Sequence, residues 1–114
     1  MSFVRIAHVE EIPRGRTLFV SMQTTPLLVA NVEGEIFVLA GLCPHRNNPL
    51  DGATLIDYFV DCPWHHFQYD VRTGKNHFPS NVYPPDLPNL QTQLRPLRKY
   101  AVELRNGEIW VNLD

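Results

Sequence analysis

Ten prolines and six glycines interrupt the 114-residue chain so often that no long helical period survives. What remains between them is strand-like. Phe3 to Ala7 alternates, Thr17 to Met22 and Pro26 to Asn31 are short β-rich runs, and Glu33-Gly34 turns the latter into Glu35 to Ala40. That hairpin leads straight to Cys43. Thr54 to Ile56 and Tyr58 to Asp61 read as short strands around Asp57, and Phe67 to Val71 reads as a strand ended by Arg72-Thr73-Gly74-Lys75. The run Lys99 to Arg105, the turn Asn106-Gly107 and the run Glu108 to Leu113 give the strongest hairpin signal in the chain. Eight or nine short strands at this spacing predict an all-β sandwich or small barrel, one domain over residues 1–114.

Residues 76–96 break the rhythm. Pro79, Pro84, Pro85, Pro88 and Pro96, with Asn and Ser between them, predict a long ordered loop. The charge pattern excludes several partner classes: ten Lys+Arg against twelve Asp+Glu, net -2 and scattered, leave no footprint for nucleic acid or anionic lipid. No apolar run reaches the roughly 18 residues of a membrane span, and Met1-Ser2-Phe3-Val4-Arg5 lacks the basic-then-apolar pattern of a signal peptide. The expectation is a soluble, cytoplasmic monomer.

The chemistry sits in two Cys/His pairs, Cys43-Pro44-His45 and Cys62-Pro63-Trp64-His65, with sixteen residues between His45 and Cys62. Each pair falls in a strand-to-strand loop, about residues 41–52 and 61–68. Alone, a cysteine is most simply a buried thiol and a histidine a surface imidazole. Together, thiolate sulfur and imidazole nitrogen suit zinc or an iron-sulfur cluster. A structural Cys2His2 zinc site usually takes two like ligands from each turn. Here each loop donates one of each kind, which is the arrangement for a [2Fe-2S] cluster with cysteines on one iron and histidines on the other. A Cys43–Cys62 disulfide is the third alternative.

Cys43-Pro44-His45-Arg46, Asp51-Gly52, Cys62-Pro63-Trp64-His65 and Phe67 to Lys75 together resemble the Rieske family, and more closely its small soluble ferredoxins. The resemblance implies stacked antiparallel sheets with the cluster held by two loops at one tip. It also implies Cys43, His45, Cys62 and His65 as ligands of one [2Fe-2S] cluster per chain. Two ferric ions, two sulfides and two thiolates sum to zero charge, so an electron is added more easily than to an all-cysteine dianion. Such centres work at roughly −150 to +300 mV, against about −400 mV for plant-type ferredoxins. A ligand imidazole with one nitrogen on iron titrates through the other, so the potential is expected to be flat near neutral pH and to fall in alkali.

Pro44 and Pro63 lack N–H groups, so hydrogen bonds to cluster sulfurs are expected from amides near Arg46, Asn48 and His66. High-potential members of the family carry serine two residues past the second ligand histidine and tyrosine four past it. Here those positions are Phe67 and Tyr69. The small ferredoxins more often carry phenylalanine at the second, so Tyr69 is a departure. Its hydroxyl either tunes the cluster or rests on a backbone carbonyl. His66 reads as a packing or surface residue, and His8 and His77 as exposed.

A centre with four protein ligands and two sulfides offers no open position for substrate. The expected role is one-electron transfer, not catalysis. The resemblance implies a flavin-dependent reductase as donor and, as acceptor, the terminal oxygenase of a ring-hydroxylating dioxygenase or multicomponent monooxygenase. The alternatives are a small subunit of another oxidoreductase, such as a nitrite reductase complex, or a redox-sensing module. The docking face would comprise His45, His65, Pro44, Arg46, Trp64 and Pro79, and Trp64 would either anchor a partner or wall the cluster from solvent.

Overall fold

The computed structural model describes residues 3–43, 48–63, 66–78 and 95–113. Ten strands follow in order: β1 (Phe3–His8), β2 (Arg16–Met22), β3 (Thr25–Val32), β4 (Glu35–Ala40), β5 (Thr54–Ile56), β6 (Phe59–Asp61), β7 (Gln68–Asp70), β8 (Asn76–Phe78), β9 (Lys99–Arg105) and β10 (Glu108–Asn112). A 3₁₀ turn at Val9–Glu11 follows β1, capped by the His8 side chain. The expected all-β class holds, and its arrangement is two antiparallel sheets: six strands in the order β1-β10-β9-β4-β3-β2 and four in the order β5-β6-β7-β8.

The hairpin β3–β4 is the centre of the molecule. Odd-numbered Leu27 and Val29 with Val38 face one apolar cluster, which they share with Ala7, Ile12, Tyr100, Ile109 and Val111. The other side, Leu28, Ala30, Val32, Phe37 and Leu39, faces a second cluster containing Leu50, Val60, Val71 and both cysteines. Being covered on both faces, these strands read as a continuous apolar run instead of an alternating one. At its turn, the buried polar side chain of Asn31 is satisfied: Nδ2 donates to the Ile12 carbonyl at 2.7 Å and Oδ1 accepts from the Gly34 amide at 2.7 Å.

The small sheet is tied to the large one by side chains. Thr17 Oγ1 donates to the Ala53 carbonyl at 2.8 Å. Lys99 Nζ donates to the Arg72 carbonyl at 2.8 Å, and the Arg72 guanidinium lies 4.3 Å over the Tyr58 ring. Tyr58 in turn packs edge-on against Phe37, at a centroid separation of 6.2 Å.

The structure corrects the sequence reading at one element. The segment expected to be loop from residue 76 opens with strand β8, paired to β7; residues 79–94, Pro79 among them, lie outside the described residues. The returning chain is fixed at Leu97, which is buried, donates its amide to the Gly74 carbonyl at 2.7 Å and lies directly over Gly74. Gly74 has φ +84°, and a Cβ there would overlap the Leu97 carbonyl oxygen, so both backbone and space require glycine.

Candidate metal centre

Cys43 and Cys62 stand at the start of two loops with the same closure. The Cys43 amide donates to the Asn48 carbonyl at 2.8 Å, and the Cys62 amide donates to the Phe67 carbonyl at 2.8 Å. Each bond encloses four residues, 44–47 in one loop and 63–66 in the other. Below the first loop, Leu42 bridges Pro49 and the Leu50 amide donates to the Gly41 carbonyl at 2.7 Å. Below the second, Asp61 pairs with Gln68 in the β6–β7 ladder. Both loops are thus fingers carried on short antiparallel stems.

Gly41 lets the first stem leave β4. A Cβ there would meet the Leu27 amide nitrogen, the Phe19 ring and the Pro26 carbonyl carbon, each at 2.8 Å. The second loop ends at His66, which has φ +57° and donates its amide to the Cys62 carbonyl at 2.9 Å. That amide, expected to point at a cluster sulfur, is engaged in closing the loop. Asn48 likewise contributes its carbonyl to the closure. The His66 ring is at the surface, with Nδ1 2.8 Å from Asp61 Oδ1, and Gln68 Nε2 donates to Asp61 Oδ2 at 3.1 Å. His66 is therefore a surface residue, as the sequence suggests.

Both cysteines are buried, 2% and 1% exposed, in one apolar cluster, and they form no disulfide. Tyr69 is completely buried beside them, with its hydroxyl 3.7 Å from Cys43 Sγ. Burial, followed by the neighbouring Cys43, pushes the Tyr69 phenol far above its ordinary pKa, so it stays protonated. The hydroxyl meets sulfur and not the backbone carbonyl that was the other expectation. His45, His65, Pro44, Arg46 and Trp64 lie outside the described residues, while Pro63 is exposed at the mouth of the second loop.

The donor set fits an iron-sulfur cluster. Two reduced thiols are brought into one apolar pocket by loops of equal closure, with a neutral O–H donor against one sulfur, where a metal-bound thiolate would otherwise be buried without compensation. The family profile described as Rieske [2Fe-2S] domain matches residues 2–91. The chain belongs to the Rieske [2Fe-2S] domain family.

Relatives agree along the full length. The biphenyl dioxygenase ferredoxin subunit of Pseudomonas sp. (strain KKS102) is 30% identical, over 100% of this chain and 94% of its own. Among solved structures, the Sphingomonas yanoikuyae B1 ferredoxin superposes with TM-score 0.79 at 24% identity, covering 99% of this chain and 100% of its own. The ferredoxin in a complex of reduced oxygenase and oxidised ferredoxin of carbazole 1,9a-dioxygenase gives TM-score 0.76 at 22% identity, covering 96% and 91%. As a member of this family the protein carries a [2Fe-2S] cluster and transfers electrons. Among its described residues no helix is long and apolar enough to cross a membrane.

Two other histidines were misjudged from sequence. His8 is half-buried, capping the 3₁₀ turn, with its Nδ1 accepting from the Glu10 amide at 3.2 Å. His77 is half-buried and stacked on Phe59, with 4.0 Å between ring centroids. His77 meets an aromatic ring that only the sheet brings near, whereas His8 turns onto the amide of a residue two along the chain. The residue that sequence reasoning missed at the site is Asn76. It was assigned to the loop, yet strand β8 places it opposite Tyr69. The turn Arg72 to Lys75 after a β-rich run was the available signal, because a tight turn there implies a returning strand.

Proposed function

We propose that Cys43 and Cys62 bind one iron of the [2Fe-2S] cluster and His45 and His65 the other, and that the protein passes single electrons from a reductase to the terminal oxygenase of a dioxygenase system. The observation that carries this reading is the matched closure of the two cysteine loops around one buried pocket. Bound there, the cluster supplies a one-electron couple, raised in potential by its two neutral ligands. The rest is done by the chain. Leu28, Leu39, Leu50, Val60 and Val71 keep water from the thiolate side, and Tyr69 donates to Cys43 Sγ, which favours the more electron-rich, reduced state.

The acceptor is inferred from relatives that are ferredoxin components of dioxygenases. Pro44, Arg46, Trp64 and Pro79 beside the two histidines supply the docking face, a small and transient contact of the kind redox partners make. The donor is a flavin-dependent reductase. The test is reconstitution with an oxygenase and a reductase of this class: reduced protein should reoxidise in single turnover on mixing with oxygenase. Reoxidation at the rate seen without oxygenase would overturn the assignment.

A further inference from the structure

β2 and β5 are the end strands of the two sheets, and their free edges face each other. The Gly41 amide donates to the Pro26 carbonyl at 2.9 Å, so Pro26, Leu28 and Ala30 turn their backbone groups to β4, and Leu27 and Val29 turn theirs to β2. Leu18 and Val20 meet them there, which leaves the backbone groups of Thr17 and Phe19 pointing off the sheet. In the small sheet the Val71 amide donates to the Tyr58 carbonyl at 2.8 Å. The same alternation turns Phe59 and Asp61 to β5, through Ile56 and Thr54, and leaves Leu55 pointing outward. Between the two edges lies a cavity of about 390 Å³, lined by residues 15–19 and 51–55. Among the described residues no backbone bond crosses it, and the crossing is made by the Thr17 hydroxyl, which donates to the Ala53 carbonyl at 2.8 Å. The other side of the small sheet is tied by the Leu97–Gly74 backbone bond and by Lys99 on the Arg72 carbonyl.

We propose that the β2–β5 seam is the opening through which the cysteine pocket is reached, with the Thr17 hydroxyl as its latch. Lifting residues 51–55 off β2 gives up that one bond, the three-residue β5–β6 ladder and little apolar burial: Asp51, Gly52 and Thr54 are exposed already. Ala53 and Leu55 leave with the segment. Both pack in the apolar cluster that holds Cys43 and Cys62, so their departure opens that cluster to solvent. A segment with few buried apolar contacts and a short ladder sits at the low end of local opening free energies, while the doubly covered β3–β4 hairpin sits at the high end.

The route to the pocket rests on the reading that the cysteines hold the cluster. Its test is amide hydrogen exchange and iron release to a chelator, both on the cluster-loaded protein. Thr17→Val, of similar shape and without a donor, should speed exchange at Ala53, Thr54 and Ile56 and speed iron release, each by about 2- to 10-fold, the factor that one net hydrogen bond is worth. Amides of β9 and β10 should not change, and Thr17→Ser, which keeps the hydroxyl, should behave as the parent. Unchanged exchange at the seam, equal acceleration in β9 and β10, or the same acceleration in Thr17→Ser would overturn the latch. Faster exchange with iron release at the parental rate would overturn the route to the cysteines, whereas a Cys62→Ser protein that kept its iron would refute the ligand reading instead. Should Thr17→Val not fold, the parent decides: Thr54 should exchange independently of low denaturant and Leu28 only through global unfolding, and the same denaturant dependence at both would overturn the proposal.

Discussion

The two sheets are built on different principles. In the six-stranded sheet the inner hairpin β3–β4 pairs over six consecutive positions, from Leu27↔Ala40 to Val32↔Glu35, and its register is fixed by apolar side chains on both faces. In the four-stranded sheet each strand has three residues, too few to hold a register by themselves. That sheet depends on what surrounds it: the Gly74–Leu97 crossing, the Lys99–Arg72–Tyr58 brace and the Thr17–Ala53 bond. The long sheet is the scaffold. The short sheet carries the second cysteine and Tyr69, and so holds more of the chemistry with less of its own stabilisation.

The largest effect that tests this division is loss of the cluster. Cys62→Ser should abolish iron binding and visible colour while the long sheet still forms, seen as retained β-type circular dichroism; a coloured Cys62→Ser protein with normal iron content would refute the ligand assignment. Next come the two faces of β3. Leu27→Ala and Leu28→Ala each open a cavity at a completely buried site, and each should cost about 2–5 kcal/mol in chemical denaturation. Only Leu28, on the cysteine side, should also shift the reduction potential. Equal potential shifts from both would remove the distinction between scaffold and site.

Gly74→Ala should destabilise by about 2–3 kcal/mol, from left-handed backbone strain and the overlap with Leu97, measured by denaturation. Iron should be lost at lower denaturant than β structure, since the short sheet is released first. Smaller again is Tyr69→Phe: a net hydrogen bond of about 1–1.5 kcal/mol corresponds to a drop of about 40–65 mV for one electron, read by voltammetry. A change under about 10 mV, well below that hydrogen-bond value, would mean that the hydroxyl does not act on the cluster.

The smallest effect is on acid stability. Burial pushes the Asp70 carboxyl up, but Arg72, through side-chain and backbone hydrogen bonds and its charge, outweighs this and holds it below the ordinary carboxylate value. A depressed native pKa stabilises the fold above the unfolded value of about 3.9 and loses that contribution as pH falls through the native one. Arg72→Gln should therefore be slightly less stable than the parent at neutral pH, and the gap should close at about pH 2.

The same division explains what was legible in the sequence. Hairpins with local turn chemistry were readable: Asn106-Gly107, both at positive φ, sits between β9 and β10 where expected. The Cys/His loops were readable because ligand types and spacing are local. Strand β8 was not. In Asn76-His77-Phe78 only Phe78 favours a strand, and the segment is one because β7 lies beside it and Leu97 closes over its turn. The engagement of the His66 amide in loop closure was equally hidden, because it depends on a positive φ that nothing in His65-His66-Phe67 announces.

The central claim, mixed cysteine and histidine ligation of one [2Fe-2S] cluster, is tested most directly by electron-nuclear double resonance on the reduced protein labelled with nitrogen-15 histidine. Of its five histidines, two should show strong coupling to the paramagnetic centre, and His45→Ala and His65→Ala should each remove it along with the native spectrum. An iron-sulfur signal without histidine coupling, or coupling that survives both substitutions, would contradict the account.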